Sequence, residues 1–170
     1  FQDASGTAFS GMSNFSVMGV YFDSRGRVHS MPAADVGGAF FQTLGLHAFL
    51  GRTLVPSDDT TVNPAWVVVV SRAFWQHQLH SDPRAVGSML HLSGHAFRLV
   101  GVVHGHGVFS SLIAQPQIFI PTHTAALISQ GNGLNQENAR WIQTIFARLR
   151  PDVSRVNAQQ QVDAVAAQLR

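Results

Sequence analysis

The sequence predicts an α+β domain, a mixed β-sheet with helices packed against it. Three observations carry that expectation. Trp66 to Val70 is a continuous apolar run of strand length leading at once into a helix-start signal. Met89 to Val103 reads as a hairpin around Ser93-Gly94. The last twenty or so residues read as an amphipathic helix with its own cap. A βα unit, a hairpin and a separate helix occur in one chain without internal repeats, which favours a mixed sheet over a purely alternating one.

Element by element, residues 1–14 are small and polar, with isolated Phe9 and Met12, and predict no element. Val17 to Phe22 is β-branched and aromatic, turns at Asp23-Ser24-Arg25-Gly26, and resumes from Arg27 to Val36, which predicts two strands around a turn. Ala39 to Leu44 places Phe40, Phe41 and Leu44 at helical spacing, with Gly45 as the C-cap. Pro56 to Pro64 is a polar loop. The Trp66–Val70 run lacks polar alternation, so it predicts a strand covered on both faces. Ser71 is placed to cap a helix running to His80, with Phe74, Trp75 and Leu79 on its buried side.

In the hairpin, a two-residue turn sets Leu92 opposite His95, His91 opposite Ala96 and Leu90 opposite Phe97. Leu90, Leu92, Phe97 and Leu99 then share a core face, while His91 and His95 fall on opposite faces. Gln117 to Ile120 predicts a short strand closed by Pro121, Thr122 to Ser129 a short helix, and Gln130 to Asn138 a mobile loop. Trp141 to Leu149 alternates as a strand with at least one buried face. Ser154 caps a final helix whose Ala158, Val162, Val165 and Leu169 form a stripe expected to dock on that last strand's sheet.

Composition narrows the function. The 170 residues are 45% apolar and only 12% charged, which excludes a disordered chain, and no run of about 18 apolar residues spans a bilayer. The absence of cysteine excludes thiolate metal sites, a thiol nucleophile and disulfides, and leaves the redox compartment open. All 11 basic residues are arginine, set against eight Asp and the single Glu137, for a net charge of only +2. The isoelectric point is high because arginine titrates late. The arginines are scattered, and even Arg140, Arg148, Arg150 and Arg155 are interrupted by an apolar run, which argues against a nucleic-acid partner. The chain opens at Phe1 without an initiator Met or a leader pattern, so it reads as a piece of a longer protein.

Each candidate for chemistry has an ordinary structural explanation. Nine histidines suggest metal: His104 and His106 would share one side of an extended segment, and His77 with His80 sit three apart on the expected helix. Neither pair has a third ligand, and His91 and His95 cannot join one site in the hairpin register. Ser71 stands between strand and helix like a nucleophile, but it lacks flanking glycines and capping accounts for it. Asp58-Asp59 are neighbours in a polar loop, where both carboxylates are expected to be solvated. Gly37-Gly38 lacks the lysine and glycine spacing of a phosphate loop and reads as a strand-to-helix turn. These residues predict no catalytic, cofactor-binding or metal site and no cofactor.

The order of short motifs is more specific. Phe40-Phe41, Leu44-Gly45 and Leu50-Gly51-Arg52 are followed by Asp58-Asp59, Val67 to Ser71, Phe74-Trp75, Asp82-Pro83 and Val86-Gly87. Leu90, Leu92 to Gly94, Phe97 to Val102, Phe109, Ile118 to Pro121 and Arg148 to Ser154 complete the series. In this order, over roughly residues 15–170, the chain resembles the MacB-like periplasmic core domains of MacB/FtsX-type ABC transporter permeases. It departs from their pattern at Ser88, Ser93, His104 and Asp152, all turn or surface positions.

The resemblance implies one extracytoplasmic domain between two membrane helices, on the periplasmic side of the bacterial inner membrane. It implies a porter-like βαβ lobe from residues 1–50 and 123–170, and a smaller strand-rich lobe inserted at 51–122. It further implies that the domain is not itself an enzyme. Such a domain transmits motion from ATP hydrolysis and contacts a partner or cargo in export. The partners implied are an ABC ATPase subunit or domain, a periplasmic adaptor, and the membrane through flanking helices. A free-standing ligand-binding or enzymatic α+β domain is the alternative, and sequence flanking the chain would separate the two.

Overall fold

A computed structural model describes residues 8–24, 26–104, 115–131 and 144–168. It contains β1 (Phe9–Ser24), β2 (Arg27–Val36), α1 (Phe40–Leu44), β3 (Ala48–Gly51), β4 (Val67–Ser71) and α2 (Arg72–Gln78). There follow β5 (Met89–Leu92), β6 (His95–Val103), β7 (Ile118–Pro121), α3 (Thr122–Gly131), β8 (Thr144–Leu149) and α4 (Arg155–Gln168). Short 3₁₀ turns lie at Pro56–Asp58 and Pro83–Ala85.

The sheet is mixed and its pairings close on themselves. β2 runs parallel to β7 and β4 parallel to β6, while β1–β2, β4–β7, β5–β6 and β1–β5 are antiparallel. These six strands form a ring through Phe22↔Leu92. β3 branches from β6, and β8 branches from the first half of β1, with Phe9 paired to Leu149 and Phe15 to Thr144. Phe15 also pairs with Val36, so β8 lies on the edge of β1 opposite β2.

Two apolar clusters occupy the two faces. Val68, Val70, Ile118 and Ile120 join Phe22, Leu92, Phe97 and the helix residues Phe74 and Ile128. Val69 and Phe119 point the other way, toward Phe40 and Phe41 of α1. Val68, Val69 and Val70 are all fully buried, as an unbroken apolar run requires. Around α1, Phe40 meets Phe41 edge-on at 5.1 Å and Phe146 of β8 at 5.5 Å. Gly45 ends α1 at φ +69°, and the N–H of Leu46 returns to the carbonyl of Phe41 at 2.8 Å.

The hairpin register is the expected one, pairing Leu92 with His95, His91 with Ala96 and Leu90 with Phe97. Ser93 and Gly94 both have positive φ (+49° and +83°), the signature of a two-residue turn matched to strand twist.

Several expectations are corrected. Residues 9–14 are strand, because β8 pairs with them from the far end of the chain. β3 was not anticipated; it is held by Ala48↔Val103 and Gly51↔Gly101. α2 stops at Gln78, because His80 and Ser81 turn left-handed and the Ser81 N–H returns to the Trp75 carbonyl at 3.1 Å. α3 continues to Gly131, into the stretch expected to be a loop; residues 132–138 lie outside those described. β8 is described from Thr144, with Phe146 half-buried and Ile145 58% exposed.

α4 starts at its Ser154 cap, whose Oγ accepts the Asn157 N–H at 3.2 Å. The docking expected of its stripe can be followed at two of the four positions. Ala158 is buried, but Val162 only half so, and Val165 and Leu169 fall outside the described side chains. Gln159, Gln160 and Asp163 face solvent, with Gln159 donating to Asp163 one turn on at 2.8 Å.

Candidate functional site

Several polar side chains converge where β1, β2, the turn before α1 and the start of α3 meet. Asp35 stands in β2 between Ser16 of β1 and Ile120 of β7, and is 1% exposed. Asn14 Nδ2 donates to Thr122 Oγ1 at 3.1 Å, and Thr122 in turn donates to Asp35 Oδ1 at 3.2 Å. The second oxygen, Oδ2, is buried without a hydrogen-bond partner. Burial therefore pushes the carboxyl up from 3.8 to about 6; the Thr122 bond opposes this rise and the charge of nearby Asp59 adds to it.

Asp58 and Asp59 correct the expectation of a solvated pair. Asp58 is 6% exposed and takes a bidentate contact from Arg52, Nη1 to Oδ2 at 2.6 Å and Nη2 to Oδ1 at 2.9 Å. Its Oδ2 also accepts the Val55 N–H at 3.0 Å. Asp59 has a 9% exposed side chain and bridges two other segments. Its Oδ2 accepts the Gly38 N–H at 3.1 Å, and its Oδ1 accepts the His123 N–H at 2.9 Å. The His123 Nδ1 lies 2.8 Å from the same oxygen, so an ionised Asp59 requires the imidazole proton on Nδ1. Two adjacent carboxylates are buried because each finds donors the loop sequence alone does not reveal.

Gly37 and Gly38 are the expected strand-to-helix turn, with the Gly37 N–H on the Asn14 carbonyl at 3.0 Å. A side chain at Gly38 would have its Cβ 2.6 Å from the Pro56 Cα, so this contact with the 3₁₀ turn needs glycine. A cleft of about 410 Å³ opens beside the turn, lined by Met12, Asn14, Gly38, Asp59, His123 and Ile145 among others.

The other candidates remain apart from this centre. Ser71 Oγ caps α2, accepting the Phe74 N–H at 3.1 Å. His77 lies on α2, but His80 is beyond its end, so they do not share a helix face. His91 and His95 lie on opposite faces, and His95 stacks on Trp66 at 5.0 Å. His104 packs against Phe49 at 5.2 Å, and His106 lies outside the described residues. Among the described residues no three His, Asp or Glu side chains are arranged to hold a metal ion.

The Asn14–Thr122–Asp35 chain and the Asp59–His123 contact were not anticipated. One signal was available: Asp35 is a lone carboxylate in the apolar end of β2, Ala33-Ala34-Asp35-Val36. Thr122 and His123 gave none, because their roles depend on β7 running alongside β2.

The sheet is thus mixed and closed into a ring, with the start of β1 beside the end of β8. The chain resembles the periplasmic region of MacB from Actinobacillus actinomycetemcomitans, with a TM-score of 0.71 at 16% identity over 96% of this chain and 68% of that one. It also resembles the extracellular domain of the noncanonic ABC-type transporter YknZ from Gram-positive bacteria, with a TM-score of 0.64 at 10% identity over 94% and 74%. A permease domain from Porphyromonas gingivalis gives 0.62 at 14% identity over 98% and 67%. At these identities the likeness shows the fold. The profile of the MacB-like periplasmic core domain matches residues 4–165, and the chain belongs to that family. It is thus an extracytoplasmic domain of a MacB-like ABC transporter permease, a class that works with an ATPase. No curated protein matches the sequence.

Proposed function

We propose that this domain carries motion generated by ATP hydrolysis outward from the membrane and contacts a partner or cargo in export, performing no chemistry itself. The observation behind this reading is the course of β1. Its first residues pair with β8, Phe9 with Leu149, and the Arg150 N–H reaches the Ala8 carbonyl at 3.0 Å. From Phe15 to Ser24 it pairs with β2, and its far end also pairs with β5 through Phe22↔Leu92. Sixteen residues of strand reach up to about 50 Å at ~3.3 Å each. Displacement entering at the β1–β8 end is thus delivered to the β5–β6 hairpin through one hydrogen-bonded element.

A division into a porter-like lobe (1–50 and 123–170) and an inserted lobe (51–122) belongs to the same proposal. Asp59 of the inserted segment then lies at the junction, bonded to Gly38 and His123 of the other lobe. The partners named by this reading are the ATPase of the system, a periplasmic adaptor, and the membrane through flanking helices. Hydrogen exchange on the full permease with its ATPase tests it. Peptides covering 9–24 and 144–149 should change protection between the nucleotide-free and vanadate-trapped states. Identical exchange in both states contradicts the reading.

A further inference from the structure

We propose that Asp35, Thr122, Asn14, Asp59 and His123 form a proton-operated clasp, which closes α3 and the 56–59 turn onto the β1–β2 ribbon when Asp35 holds a proton and eases when it is lost. The geometry comes first. Asp35 and Asn14 lie on β2 and β1, Thr122 and His123 open α3, and Asp59 leaves the 3₁₀ turn, so five side chains tie four segments. Asp59 already accepts three contacts from the protein, which suits a fastening across the cleft better than a ligand site.

The charges set the direction. An ionised Asp35 is a buried anion with one unpartnered oxygen, close enough to Asp59 for their charges to repel. Neither β1 nor β7 supplies a compensating cation, since Ser16 and Ile120 stand beside Asp35. Arg52 is committed to Asp58, and Arg148 of β8 to the Thr43 carbonyl at 2.7 Å. Among the described residues the other titratable group at the clasp is His123, whose Nδ1 lies 2.8 Å from Asp59 Oδ1. Protonation at Asp35 relieves the repulsion. Burial holds Asp35 half-protonated at about pH 6, which puts the change in a physiological range. The inference stands whether or not the domain moves with ATP hydrolysis.

Hydrogen exchange on the 170-residue chain, corrected for intrinsic rates, reads the clasp directly. Between pH 7.5 and 5.5, protection of peptides covering 56–59 and 122–131 should rise at least fivefold more than that of the β4 and β6 core. Asp35→Asn should abolish the excess. An equal rise throughout the chain, no rise, or an excess that survives Asp35→Asn overturns the proposal. If Asp35→Asn does not fold, carboxyl-carbon NMR of the wild type decides. Asp35 should titrate near pH 6, and Thr122→Val, by removing a bond to the ionised form, should move that midpoint upward. A midpoint below about 4.5, or a downward or absent move, refutes it.

Discussion

Replacing Asp35 with asparagine should reveal how much stability its burial costs. Its folded-state pKa is raised from 3.8 to about 6. A raised pKa means the folded state holds the proton more tightly than the unfolded chain. The associated stability is therefore fully present below pH 3.8 and is lost as pH rises through about 6. The difference of about 2.2 in pKa, at 1.36 kcal/mol for each tenfold change, gives about 3 kcal/mol. Asparagine preserves the acceptor for Thr122 and removes the charge. It also places an amide N–H where Oδ2 has no partner, which returns about 1 kcal/mol or more of the gain. Urea unfolding followed by tryptophan fluorescence at several values from pH 4 to 7.5 gives the difference between the two proteins, in which the other titrating groups cancel. That difference should shift toward the variant by about 2.4 kcal/mol between pH 4 and 7.5, most steeply between pH 4 and 6, because part of the full effect is already lost at pH 4. Curves that stay parallel within about 0.5 kcal/mol would falsify the reasoning, because Asp35 would then ionise as readily folded as unfolded.

Three further outcomes follow from the same contacts. Asp58→Ala should cost about 2 kcal/mol in urea unfolding, since it removes the bidentate Arg52 contact and the Val55 bond while half-exposed Arg52 regains water. Gly38→Ala should push the Pro56 turn away and break the Gly38–Asp59 bond, so amide exchange at residues 55–59 should accelerate while α2 is unaffected. Val162→Asp should cost about 1 kcal/mol or less in thermal unfolding, whereas Phe40→Ala, fully buried among Phe41, Phe119 and Phe146, should cost about 3–5 kcal/mol. Equal losses for Val162→Asp and Phe40→Ala would mean that α4 is docked far more firmly than its burial indicates.

What could be read from the sequence was whatever local pattern determines. The β4 run, the Ser71 cap, the Gly45 terminator and the Ser93-Gly94 turn each depend on a few neighbouring residues, and each stands where expected. The first half of β1 could not be read, because Phe9-Ser10-Gly11-Met12-Ser13-Asn14 alternates poorly and is a strand only by pairing with β8. The end of α2 was misplaced because a histidine and a serine take the left-handed turn that glycine usually marks. Asp58 and Asp59 look like solvated loop residues until Arg52, Gly38 and His123 are brought to them. The site is thus largely a product of the closed ring, which joins residues about 20 to 110 positions apart.

The central claim, that the domain moves with the ATPase cycle, is tested most directly by its distance from the membrane. The chain has no cysteine, so Arg84→Cys offers a single labelling position on the 89% exposed side chain beside α2. In the full permease with its ATPase, reconstituted in nanodiscs and carrying no other reactive cysteine, energy transfer from a dye at that position to headgroup acceptors should change between the nucleotide-free and vanadate-trapped states. Unchanged transfer in a preparation that hydrolyses ATP would contradict the account.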